Sequence, residues 1–364
     1  MTARRVPFTS LAPTGDEAAA IRSAVDRVMS SGWYVLGPEL EAFEGEFAAA
    51  CGAKQAVGVG NGTDAIALVL RSLSIGPGDD VITTPLSAAF TAIAITMTGA
   101  TPVFADIDPV RLTLDPDRVA ALISPRTKAI VPVHLYGQPA DMTTLLHVSA
   151  QHNIPLLEDC CQAHLATSEG DPVGTIGEYG AFSFYPTKNL GALGDAGAIV
   201  TDLDGSNYLR QLRNGGQTDR YHHYWSGGVN SRLDELQAAI LRAKLPGLPA
   251  VTARRRTLAR LYRELLTHSP VDVPPECDPG HVYHLFVVRS RRRDELQSHL
   301  AASGIETLIH YPVPIPDQDA FAHAPYSDCP VAEQVCSELL SLPLYPAMTE
   351  DDVAFVADAV RRFR

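Results

Sequence analysis

The segment SFYPTKNLGALGDAGA, residues 183–198, holds one lysine, Lys188, in a run of small residues just after a short aromatic-rich strand. An ordinary surface ammonium needs no such surroundings. Small neighbours let a planar ligand come close and strip water from the amine, which favours the neutral form and Schiff-base chemistry. Two other segments offer complementary groups. PLLEDCCQAH (155–164) ends a buried-looking strand with Glu158 and Asp159, which alternation sends to opposite faces of a sheet. A carboxylate at a strand's carboxyl end can pair with a cationic ligand nitrogen; the other reading of Asp159 is an N-cap for the next helix. GVGNGTDAIALVL (58–70) runs a strand into Asn61-Gly62-Thr63 and opens a helix near Asp64, so backbone N–H groups there face any anion. Its glycines, at 58, 60 and 62, do not follow GxGxxG, and the turn taken alone fits a helix cap equally well.

These elements are positioned by an alternating pattern. Strands are predicted at 55–60, 80–84, 102–106, 129–134, 155–159, 180–185 and 197–201, with helices at 64–75 and 141–153 between them. That order implies βαβ units and a mostly parallel, doubly covered sheet with ligands at the strands' carboxyl ends. A helix at 233–245 leads to PGLP (246–249), a turn or hinge, and the chain divides into 1–249, a large domain with an N-terminal arm, and 250–364, a smaller α+β domain. In the latter, 252–266 and 293–304 read as helices and 281–290 as a strand. Arg254, Arg255 and Arg256 read as a solvated helix face rather than a phosphate grip.

Composition narrows the function. The 364 residues are 46% hydrophobic and 20% charged, and the net charge of −13 argues against nucleic acid as a partner. No uninterrupted apolar run approaches the roughly 18 residues of a membrane span, and no apolar segment follows Arg4 and Arg5 as in a secretory signal. Six cysteines, two of them adjacent, show neither a disulfide framework nor zinc spacing. The expectation is a cytoplasmic protein with reduced thiols and no metal.

An anion site, a carboxylate for a ring nitrogen and a desolvated lysine are together what pyridoxal 5′-phosphate requires. Phe90, in LSAAFTAIA (86–94), offers an aromatic face for the ring, although a core phenylalanine is the default reading. The segments GNGTDAI, EDCCQAH, FSFYPTKNLGALGDAGAIVTD and GVNSRLDELQAA resemble the DegT/DnrJ/EryC1/StrS family of sugar aminotransferases over essentially the whole chain. The resemblance implies an aspartate-aminotransferase-like fold type I, with a seven-stranded sheet and a smaller C-terminal domain. It also implies Lys188 as the lysine that holds the cofactor, Asp159 against the pyridine nitrogen, and Gln162 beside the ring hydroxyl. Phe90 would stack on the ring. Ser183 and the backbone of Gly62, Thr63 and Asp64 would hold the phosphate, with Asn230 reaching the phosphate of the neighbouring subunit of a homodimer. His164, in the family's QAH motif, is implied near the substrate, and His310 and Tyr311 are candidates either for substrate contact or for a structural role. KNLGALGD resembles members that move an amino group from L-glutamate to C3 of a nucleotide-linked (dTDP) 3-keto-6-deoxyhexose. C4 or amino-cyclitol amination, and a non-catalytic cofactor-binding regulator, stand as alternatives. A nicotinamide-dependent oxidoreductase would lean on the turn at 58–62 but would leave Lys188 unexplained.

Overall fold

The computed structural model describes residues 4–322, 324, 325 and 328–364. Its strands are β1 (Gln55–Val59), β2 (Asp80–Thr83), β3 (Thr101–Phe104), β4 (Thr127–Val131) and β5 (Leu157–Asp159), then a small hairpin of β6 (Thr167–Ser168) and β7 (Asp171–Pro172), then β8 (Tyr179–Ser183) and β9 (Gly197–Thr201). The ladders run β1-β9-β8-β5 and β4-β2-β3, and parallel bridges Ile130↔Leu156 and Val133↔Asp159 join them into one seven-stranded sheet. Of these seven, β9 runs against its neighbours β1 and β8, while the other pairings are parallel. The carboxyl ends of β1, β5 and β8 therefore meet the start of β9 along one edge.

The helices of this part are α1 (Gly15–Ser31), α2 (Pro38–Cys51), α3 (Gly62–Ser72), α4 (Phe90–Thr96), α5 (Pro116–Leu122), α6 (Met142–His152), α7 (Ser206–Leu212), α8 (Glu235–Lys244) and α9 (Leu248–Leu265). α3 is apolar all round because it is buried: Ala65 to Leu70 pack with Val57, Val59, Val81, Val131, Leu157, Ala181 and Ile199. Phe182, one residue on from Ala181, points the other way, into Phe43 and Phe47 of α2. There Phe43, Phe47, Phe182 and Phe184 meet edge-on with centroids 5.0–5.4 Å apart, contacts worth about 0.5–1.5 kcal/mol each beyond their buried area. Glu235, at the start of α8, accepts N–H bonds from Gly37, Glu39 and Leu40 and so caps α2 from a distance.

A hairpin of β10 (Gln217–Asp219) and β11 (His222–His223) projects before α8. Beyond α9, β12 (Phe286–Arg289) pairs antiparallel with β13 (Leu339–Leu342), among α10 (Arg293–Ala302), α11 (Pro330–Glu338) and α12 (Glu350–Arg362). A core of Leu258, Tyr262, Phe286, Leu300, Val356 and Val360 holds this part together, and Val6, bridged to Ile305, packs in it.

Two sequence expectations change here. Residues 281–285 are not strand, because their carbonyls and amides are committed elsewhere. Arg255 and Arg256 donate to the carbonyls of Gly280, His281, Tyr283 and His284, and Val282 bonds to Gly137 and Asn189. Those arginines are therefore carbonyl anchors, with Arg255 buried, not a solvated face. PGLP forms a turn, as expected: a single 3-10 turn, Leu245–Gly247, runs straight into α9 with proline in its first turn, a position that needs no amide donor.

Candidate active site

The edge where β1, β5 and β8 end opens into a cavity of about 700 Å³. Gly62, Thr63, Asp64, Phe90, Asp159, Gln162, Ser183, Lys188 and Tyr311 all line it, together with Ser87, Thr91, Cys161, Tyr185 and Asp195.

At one end, Asn61 is the N-cap of α3, and its Oδ1 accepts the Asp64 amide at 2.8 Å. This is a correction to the phosphate set read from the sequence, because the Asp64 N–H is already used by the cap. The amides of Gly62 and Thr63, in the first turn, have no carbonyl one turn behind them to bond and face the cavity with the helix dipole. The Asp64 carboxylate accepts Ser231 Oγ–H at 2.7 Å and Asn61 Nδ2–H at 3.0 Å, fastening the segment after the hairpin to α3. The backbone packs tightly around this end. A Cβ on Gly62 would lie 2.7 Å from Cys161 Sγ and 2.8 Å from Ser183 Cβ, and one on Gly197 would lie 2.4 Å from the Asn61 carbonyl carbon. Ser183 Oγ accepts the Tyr185 amide at 3.3 Å, which leaves its hydroxyl proton free to donate.

Asp159 is buried at the end of β5. Thr91 Oγ1–H donates to its Oδ2 at 2.6 Å and the Cys161 amide to its Oδ1 at 3.0 Å. Phe90, beside Thr91 on α4, is 61% exposed with its ring at the cavity rather than in the core. Gln162 accepts the Tyr136 amide at 2.8 Å and donates Nε2–H to the Tyr311 hydroxyl at 3.2 Å. Burial pushes the Tyr311 hydroxyl up to about 12, so it stays protonated.

Lys188 sits on a loop closed at its base by Phe184 N–H to Ala196 O at 2.7 Å. A Cβ on Gly191 would lie 2.5 Å from the Pro186 carbonyl oxygen, so this glycine is what lets the loop double back beside the lysine. Burial lowers the Lys188 pKa below the ordinary lysine value, against the opposing pull of Cys161 and Asp159. A nucleophilic amine, an anchored carboxylate and an anion cradle thus share one cavity, and this donor set fits pyridoxal phosphate.

Two expected substrate contacts lie elsewhere. His164 does not line the cavity. It is fully buried against Phe182 and Phe184, with ring centroids 5.6 and 5.5 Å away, and burial holds its pKa near 3. His310 also lies outside the lining; its Nδ1 pairs with Ser341 Oγ at 2.9 Å and its carbonyl accepts the Tyr136 hydroxyl. Asn230 is exposed, bridged to Asn214, and not part of this chain's own cavity. Ser87, Thr91, Cys161, Tyr185 and Asp195 at the cavity, and Ser231 behind it, are residues that reading the sequence missed; Thr91 had the signal of standing next to Phe90.

Relatives match nearly the whole chain. It is 47% identical to dTDP-3-amino-3,4,6-trideoxy-alpha-D-glucose transaminase of Streptomyces venezuelae, over 99% of this chain and 96% of that protein. The crystal structure of S. venezuelae DesV with a ketimine intermediate superposes with a TM-score of 0.95 at 47% identity, covering 99% of this chain and 98% of that one. NtdA of Bacillus subtilis, solved with its bound cofactor PMP, has a TM-score of 0.90 at 29% identity, covering 98% and 86%. The architecture is thus that of the aminotransferases of fold type I, and residues 16–361 match the family's sequence pattern. The chain belongs to the DegT/DnrJ/EryC1/StrS aminotransferase family.

Proposed function

We propose that this protein is a pyridoxal-phosphate-dependent transaminase that moves an amino group from L-glutamate to C3 of a dTDP-linked 3-keto-6-deoxyhexose. The observation that carries the reading is the convergence of Lys188, Asp159 and the free amides of Gly62 and Thr63 on one cavity. The C3 position and the dTDP carrier rest on the likeness to the Streptomyces transaminase.

When bound, the cofactor supplies a carbonyl carbon conjugated to a pyridinium ring that takes up an electron pair. The chain's own residues do the rest. The Gly62 and Thr63 amides and the Ser183 hydroxyl hold the phosphate in this reading, and Phe90 covers one ring face. The Asp159 carboxylate keeps the proton on the ring nitrogen. Lys188 Nζ, whose burial favours the neutral amine, would take the proton from Cα of the amino donor and deliver it to the carbon that was the cofactor's carbonyl. Run in reverse on the keto-sugar, the same transfers complete a ping-pong cycle. Asn230, exposed and outside its own cavity, is free to reach the phosphate in the partner subunit of a homodimer.

The test is the visible absorption spectrum of the purified protein before and after L-glutamate. A yellow band that bleaches to the pyridoxamine form establishes cofactor, donor and half-reaction. A yellow protein unmoved by glutamate points to another donor or to a sensor, and a protein that stays colourless after reconstitution overturns the reading.

A further inference from the structure

The carboxylate expected to face the cofactor's ring nitrogen is held by a residue outside the four segments that carry the family resemblance. Thr91 is buried, lies on the first turn of α4, and gives its hydroxyl proton to Asp159 Oδ2 at 2.6 Å across 68 residues of chain. A helical threonine ordinarily returns its hydroxyl to a carbonyl of the preceding turn. Here it is directed away from the helix to the strand end. The other carboxylate oxygen takes the Cys161 amide at 3.0 Å, and that donor is backbone, fixed by the turn after β5. One donor on each oxygen fixes the plane of the carboxylate. Phe90 precedes Thr91 on the same turn and presents its ring to the cavity. One turn of helix therefore sets both the aromatic face and the carboxylate's orientation.

We propose that Thr91 is a positioning residue for the transamination: its hydroxyl orients Asp159 toward the ring nitrogen of the bound cofactor, in register with Phe90. The inference rests on the reading of this cavity as a pyridoxal phosphate site. A side-chain hydrogen bond to a buried charge accounts for roughly a 10- to 100-fold effect where its alignment matters.

The experiment compares Thr91→Val, which keeps the shape and removes the hydroxyl, with Thr91→Ser, which keeps the hydroxyl, in the reconstituted holoenzyme. Two readouts are taken: the single-turnover rate with L-glutamate, and the visible circular dichroism of the bound cofactor per unit absorbance, which reports the tilt of the ring. In Thr91→Val the rate falls about 10- to 100-fold, the saturating glutamate concentration changes little, and the dichroic signal changes. Thr91→Ser restores both to near the wild-type values. Should Thr91→Val not fold, Thr91→Ala removes the same hydroxyl without placing a methyl beside the carboxylate. An unchanged rate and dichroism in the hydroxyl-free variant overturns the proposal, as does a Thr91→Ser variant that fails like Thr91→Val. A wild-type protein that binds no pyridoxal phosphate overturns the functional reading itself and is told apart because no variant is needed to see it.

Discussion

Glu158 and Asp159 are consecutive residues that β5 sends to opposite faces, Asp159 into the cavity and Glu158 into a closed ring of donors. Glu158 Oε2 accepts the Gly174 amide at 2.8 Å and His134 Nε2–H at 2.9 Å, while Oε1 accepts the Ile176 and Gly177 amides at 2.9 and 2.8 Å. The Ala140 amide donates to His134 Nδ1, which places the imidazole proton on Nε2. Two adjacent carboxylates thus have separate surroundings, one at the cavity and one enclosed by the fold.

Their substitutions should separate the same way. In Glu158→Gln, either orientation of the amide sets an NH₂ against two donors, so urea unfolding should show a loss of about 2–5 kcal/mol. The cofactor spectrum of the folded fraction should stay unchanged. Asp159→Asn should unfold at nearly the wild-type urea concentration but slow the glutamate half-reaction by roughly 10²–10³. The reverse pattern would mean that the two roles are exchanged.

Lys188 carries a stability signature beside the catalytic role proposed for it. Burial lowers its pKa, so the unfolded chain binds that proton more tightly than the folded one. The penalty is complete below the folded pKa and fades as pH rises toward the ordinary lysine range. Lys188→Met keeps the apolar stem and removes the ammonium. The cofactor-free variant should therefore melt above wild type at pH 7, with turnover reduced by roughly 10²–10⁴. A lower Tm would show that the ammonium is better solvated than its surroundings indicate.

The seven sheet strands were legible because each is a short β-branched or apolar run between turn residues, and the parity of Glu158 and Asp159 follows from alternation alone. Lys188 stood out because an isolated ammonium among glycines is unusual. What the sequence hid depends on contacts between distant residues. Nothing in LSAAFTAIA says that Thr91 meets Asp159, or that Asn61 takes the Asp64 amide out of the anion cradle. His164 shares a motif with Gln162, yet two residues of turn suffice to send one side chain to the cavity and the other into the phenylalanine cluster. The strand expected at 281–290 starts only at Phe286 for the same kind of reason, since Arg255 and Arg256 of α9 claim the carbonyls just before it.

Gly62 tests the anion cradle directly. Gly62→Ala would force its Cβ to 2.7 Å from Cys161 Sγ and 2.8 Å from Ser183 Cβ, and the Ser183 backbone, 3.3 Å away, leaves little room to yield. The dissociation constant for pyridoxal phosphate, measured by fluorescence titration, should rise about 10- to 100-fold, equivalent to strain of roughly 1–3 kcal/mol. Gly45→Ala on α2 is the control. Its Cβ meets nothing within 4 Å, so affinity should be unchanged and stability should rise by about 0.5–1 kcal/mol.

Buried histidines set the acid limit of the fold. Burial lowers His164 and His281 to about 3, His310 to about 4, and His284 well below its ordinary value, all from 6.5. As pH falls from 6.5 toward these values, the unfolded chain takes up protons that the native state refuses. Stability present above pH 6.5 is lost through that window, at about 1.4 kcal/mol per pH unit for each histidine. His164 isolates one such proton, because neither ring nitrogen has a hydrogen-bond partner among the described residues and its neighbours are Phe182 and Phe184. His164→Leu should flatten the pH dependence of the unfolding free energy between pH 6 and 4 by about one proton. Because the ring does not line the cavity, KM for the amino donor should move by less than about threefold, as expected for a core substitution distant from substrate. An unchanged slope would mean that the native imidazole does take up a proton. A large rise in KM would return His164 to the substrate site that its place in the QAH motif first implied.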